Sequence, residues 1–159
     1  MTTADRVGET TFATPTDTEI EITRVFDAPR ALVFDAWTKP EHIPNWMLGP
    51  PGWTMPACEV DLRAGGAWRF AWQHSDGNEM TMQGVYREVS PPERLVSTES
   101  WGPEWPETVN TVTFSEEAGR TTVVITTSYP SKEARDAALG TGMKQGMNLS
   151  FERLAAYLA

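Results

Sequence analysis

The chain has little of what several classes of protein require. It holds one cysteine, Cys58, and two histidines, His42 and His74, in 159 residues. A lone cysteine cannot close an internal disulfide, and count alone excludes a cysteine-based metal cluster, which points to a reducing cytoplasm. No pair of histidines, or histidine and carboxylate, stands at a recognised ligand spacing, so neither metal nor cofactor is expected. Basic residues are scarce too: 13 Lys and Arg against 22 Asp and Glu give a formal net charge of -9. With no local basic patch, that balance disfavours nucleic acid and anionic lipid. No apolar run approaches the ~20 residues a membrane span needs, so no membrane insertion is expected. Met1 to Glu19 lacks a basic stretch followed by an apolar one and reads as neither signal nor transit peptide.

What is abundant is large, soft and apolar: seven Trp, seven Met and six Phe, able to line an adaptable cavity as well as fill a core. Residues 1–18 are polar and aperiodic and read as a flexible arm, leaving 19–159 as one domain. Glu19 to Phe26 alternates apolar and polar as a half-buried strand does. Pro29 opens a short helix carrying Leu32, Val33, Ala36 and Trp37, and Thr38 to Glu41 offers a capping box for a second short helix through Trp46. Turn signals then space out six more strands: Trp53 to Leu62, Ala67 to His74, Glu79 to Val89, Arg94 to Trp101, Thr108 to Ser115 and Arg120 to Tyr129. Ser131 caps a final helix with the apolar stripe Leu139, Met143, Met147, Phe151, Leu154 and Leu158. Its glycines predict a break near Gly140 and close packing at Gly146.

Strand, two helices, six strands and one helix cannot form a doubly wound parallel sheet. The expected fold is α+β, a curved seven-stranded antiparallel sheet around the C-terminal helix. Alternation puts Trp68, Phe70 and Trp72 on one face, where Met143 and Met147 would meet them, with Arg69 on the other. Trp37, Trp46 and Trp53 fall near the short helices, where a ligand would enter, and Met82 and Trp101 complete the candidate binding set.

Groups able to carry chemistry are few. Glu99, on the same side as Leu95 and Trp101, is the best acid or base candidate, although a bulge would turn it outward; Glu59 and Asp61 are the other strand carboxylates considered. His42 reads as an exposed helix residue and His74 as a surface residue beside the Asp76-Gly77 turn, with a role at a cavity mouth as its alternative. Cys58 reads as a small buried hydrophobe. Gly49-Pro-Pro-Gly52 and Gly65-Gly66 read as turns, and the sequon Asn148-Leu-Ser150 is discounted because it lies in a helix.

The stretch Ile22-Thr-Arg-Val-Phe-Asp-Ala-Pro-Arg-Ala-Leu-Val-Phe-Asp-Ala-Trp-Thr38, with Pro40-Glu41, Trp46, Gly49-Pro50, Gly52, Cys58-Glu-Val-Asp-Leu-Arg63, Gly65-Gly66 and Gly84-Val-Tyr-Arg-Glu-Val-Ser-Pro-Pro-Glu-Arg-Leu-Val96, resembles a known family. These are the bacterial proteins related to the C-terminal domain of the heat-shock-protein-90 ATPase activator. The resemblance covers about residues 20–158, including the tail Ser131 to Leu158. It implies the START-like helix-grip fold, shared by lipid carriers, plant hormone-binding and allergen proteins, ring-hydroxylase subunits and polyketide cyclases.

Three functions follow as expectations. The first is a binding protein for an apolar or aromatic small molecule. The second is a cyclase or hydrolase-type enzyme using Glu99. The third, carried by the family name, is a chaperone partner stimulating a heat-shock-protein-90 ATPase, which the residues themselves do not support. The sequence leaves a homodimer open.

Overall fold

The computed structural model describes residues 8–159. Its strands are β1 (Thr10–Ala13), β2 (Glu19–Phe26), β3 (Trp53–Val60), β4 (Ala67–His74), β5 (Glu79–Ser90), β6 (Arg94–Glu99), β7 (Thr108–Glu117) and β8 (Arg120–Ser128). All pair antiparallel in the order β1-β2-β8-β7-β6-β5-β4-β3, the α+β helix-grip arrangement. Three helices accompany them: α1 (Arg30–Thr38), α2 (Lys132–Leu139) and α3 (Met143–Leu158). Among the described residues no helix is long and apolar enough to cross a membrane.

The sheet has eight strands where the sequence predicts seven. The additional one, β1, lies inside the expected arm of residues 1–18, of which residues 1–7 fall outside the described residues. Its four residues are too few for a periodic signal, and its pairing is set by β2, with Thr10 opposite Arg24 and Phe12 opposite Ile22. The expected second short helix through Trp46 is only a 3-10 turn, Ile43–Asn45, with no side-chain cap. Thr38 is the last residue of α1, where its hydroxyl donates to the Phe34 carbonyl.

The predicted helix break is present. Ser131 accepts the Ala134 N–H to cap α2, and Gly142 separates α2 from α3 at φ 81°, a conformation that costs glycine nothing. Gly146 lies beside Pro50 at ordinary contact distance, 3.9 Å from where a Cβ would stand, so the expected tight packing there is absent.

Helix α3 is tied down along both flanks. On one, buried Arg24 of β2 donates from Nη1 to Asn148 Oδ1 and Glu152 Oε1, both at 3.4 Å, and to Thr10 Oγ1 at 2.8 Å. On the other, Ser150 accepts the Gly49 N–H and Arg153 donates to the Gly49 carbonyl. Between the flanks Phe151 meets Phe26 and Trp37, ring centroids 6.0 and 5.9 Å away. Phe26 and Phe151, with Val33, Ile43, Trp46 and Leu154, are shut to water, none being more than 1% exposed, while Trp37 is only half-buried.

Candidate functional site

The other half of the concave face is packed less tightly. Met55, Trp68, Phe70, Trp72 and Met82 keep between 5% and 8% of their surface accessible, so water touches a wall built of rings and thioethers. Strict alternation in β4 supplies this wall: Trp68, Phe70 and Trp72 are buried, while Arg69 turns outward and pairs with Glu59. The rings form a chain, with centroids 4.9 Å apart from Trp68 to Phe70 and 6.0 Å from Phe70 to Trp72. Trp101 extends it by stacking on Trp72 at 5.5 Å. Phe70 stands opposite Cys58 on one side and Met82 on the other.

Register places a polar row beside this wall. Tyr86 opposes Ser97, Ser97 opposes Asn110 and Asn110 opposes Thr127, so all four share one face across β5, β6, β7 and β8. Thr127 donates its hydroxyl hydrogen to Asn110 Oδ1 at 2.8 Å, leaving the Asn110 amide N–H groups to point elsewhere. Glu99, two residues along β6 from Ser97, shares that face; no bulge turns it outward. Sequence reasoning missed Tyr86, Ser97, Asn110, Thr127 and Tyr129. The available signal was polar residues on the inward phase of β5 to β8.

The electrostatics of this patch follow from burial. It raises the Glu99 pKa, against the Trp101 indole N–H, which donates to Oε1 at 3.0 Å and lowers it. Oε2 has no partner among the described residues and is not sealed from water. Burial, with the charge of Glu99, pushes Tyr129 up to about 12; burial with Cys58 also raises Tyr86. Burial and neighbouring Glu59 push Cys58 up to about 11. One donor in the wall, Trp68 Nε1, is buried with no acceptor among the described residues.

The other expected site residues fall differently. Met143 and Met147 are half-buried on α3 and pack against the core. The 5.6 Å approach of Lys144 to the Phe12 ring sets that part of α3 at the level of Ile22. Trp46 belongs to the dry zone, and half-buried Trp37 contacts it at 4.8 Å, with Trp46 Nε1 donating to the Ala36 carbonyl. That places Trp46 in solid core. Trp53 meets His74 edge-on at 4.9 Å near the β3 start. His42 bonds to the Tyr157 hydroxyl, 2.6 Å away. Two surface hollows, of about 240 and 310 Å³, lie outside the ring wall, one at Val25, Phe26 and Leu158, the other at Gly52, Thr54 and His74. Among the described residues no group of His, Cys, Asp or Glu is placed to hold a metal ion.

A family model described as Activator of Hsp90 ATPase homolog 1-like protein matches residues 27–159. The chain belongs to this family. Solved structures agree with the fold. A protein from Rhodobacter sphaeroides is similar with a TM-score of 0.90 at 27% identity, over 94% of this chain and 97% of its own. Protein Ms6760 from Mycobacterium smegmatis aligns with a TM-score of 0.84 at 23% identity, over 95% and 98%. An AHSA1-like protein from Aeromonas hydrophila aligns with a TM-score of 0.71 at 23% identity, over 87% and 95%. No curated protein matches the sequence.

Proposed function

We propose that this activator-homolog family member binds an apolar, aromatic-bodied small molecule between the ring wall and the N-terminal half of α3. The observation that carries the reading is the meeting of two surfaces on one concave face. Trp68, Phe70, Trp72 and Met82 offer apolar area, and Tyr86, Ser97, Glu99, Asn110 and Thr127 offer a few oriented polar groups. Small-molecule sites combine these elements in that proportion. On this reading the half-buried Met143 and Met147 of α3, which pack against the core, give way to the ligand, as unbranched thioethers do at low cost. Ligand-dependent melting across fatty acids, polyketide-like aromatics and flavonoid-like compounds tests the proposal, because a ligand of the folded state raises Tm by mass action. Met147→Trp, which fills the same space from the helix, should abolish the shift. Absence of any shift across the panel would sink the reading.

An enzymatic reading rests on a separate observation, the accessible Oε2 of a carboxyl whose pKa burial has raised. Such a group holds a proton to higher pH than an ordinary carboxyl does and can pass it to a bound compound. Glu99→Gln would then remove turnover even at saturating concentrations of the compound. Turnover that survives the substitution would exclude Glu99 as the acid or base.

A further inference from the structure

Glu99 lies among aromatic rings without a cation. Its carboxylate faces the concave side, accepts one hydrogen bond from Trp101, and makes no ion pair among the described residues. Two other acidic groups on the sheet differ: Glu59 pairs with Arg69 and Glu88 with Arg94. The two buried cations are committed elsewhere, Arg24 to Glu152 and Arg135 to Asp136. Beside Glu99 the Trp72 and Trp101 indoles stack at 5.5 Å and 14°, and Trp101 leaves 41% of its surface exposed. An unpaired carboxylate at the rim of an indole stack is the chemistry that recognises an ammonium group, because ring faces attract cations and the carboxylate supplies the counter-charge.

We propose that Glu99, Trp101 and Trp72 form a subsite for the positively charged nitrogen of a ligand whose apolar body lies along the wall of Trp72, Phe70 and Trp68. The inference rests on the binding reading above and narrows it to amine-bearing or quaternary ammonium ligands. Burial disfavours the charged form of Glu99, and a cation beside Oε2 would hold it ionised. The Trp72 N–H is occupied by the Met47 carbonyl at 2.8 Å, which fixes the lower ring of the stack.

The test compares phenylbutyltrimethylammonium with its neutral isostere, in which carbon replaces nitrogen, by calorimetric titration against the intact protein. The cation is expected to bind about tenfold or more tightly than the isostere. Glu99→Gln and Trp101→Leu should each erase that preference, lowering the affinity for the cation to that for the neutral compound measured on the same variant. Glu117→Gln, the same charge change at an exposed strand end, should preserve it and so separates the subsite from the general pull of an acidic protein. Equal binding of the two probes to the wild type, or a preference that survives Glu99→Gln, overturns the subsite and leaves the binding reading standing. Failure of both probes to bind overturns both.

Discussion

The indole of Trp101 lies over that of Trp72, centroids 5.5 Å apart and planes 14° from parallel, while its N–H reaches Glu99 at 3.0 Å. An exposed tryptophan is thus held by a stack and one hydrogen bond. Removing it should cost the fold little, about 1 kcal/mol, the usual worth of an aromatic pair. The Glu99 carboxyl, however, loses the interaction that lowers its pKa. Trp101→Leu is therefore expected to move the Glu99 titration upward, read from the side-chain carboxyl chemical shift. An unmoved titration would mean that the Trp101 hydrogen bond is absent in solution.

Stability should depend on the Glu99 charge with a definite sign. Because burial raises its pKa in the folded state, the folded protein retains this proton at pH values where the unfolded chain has released it. Ionised Glu99 then weighs against the fold above its folded pKa, and the penalty disappears as pH falls through that value toward the ordinary carboxylate range. Glu99→Gln should raise Tm relative to wild type above this window and match it below. Glu117→Gln, measured in parallel, corrects for relieving part of the net charge of -9. A pH-independent difference between Glu99→Gln and wild type would show that Glu99 titrates as a free carboxyl.

Cys58 should be a poor nucleophile in the fold. Burial first and Glu59 second push its pKa from 9.0 to about 11. That leaves on the order of a hundredfold less thiolate near neutrality than an unperturbed thiol would have. Alkylation should be slow in the native protein and accelerate sharply on unfolding. Glu59→Gln should speed the native reaction only modestly, because burial is the larger cause. Rapid labelling of the native state would show that the β3 edge opens readily.

The ring wall is legible in the sequence because Trp68, Phe70 and Trp72 occupy alternate positions of one strand, and strand geometry alone sends them to one face. The break before Met143 is legible for a similar local reason, since Gly140 and Gly142 interrupt a helical stripe. The polar row is not, because Tyr86, Ser97, Asn110 and Thr127 come from four strands and meet only through register. Each alone reads as an ordinary strand residue. Trp46 misleads in the opposite way: its place near the short helices suggests an entrance, yet its N–H finds the Ala36 carbonyl and its ring disappears into the core.

Gly84 shows what register demands of a single position. It stands opposite Trp68 in β4, and a Cβ there would overlap the Thr98 carbonyl oxygen and come within 2.9 Å of Trp68 Cζ2. The backbone is already irregular at this point, with the Val85 N–H directed to the Thr98 hydroxyl. Neither obstacle is the far end of a flexible chain, so the strand or the wall must move. Gly84→Ala is expected to lose about 1–3 kcal/mol in urea unfolding, the range for overpacking, and to shift tryptophan emission as Trp68 is displaced. Gly140→Ala makes the control: its φ is -76° and a Cβ there would be at ordinary contact distance, so it should be neutral or slightly stabilising. If Gly84→Ala proved as stable as Gly140→Ala, β5 would have to lie farther from Thr98, and the wall formed by Trp68, Phe70 and Trp72 would be wider than the structure shows.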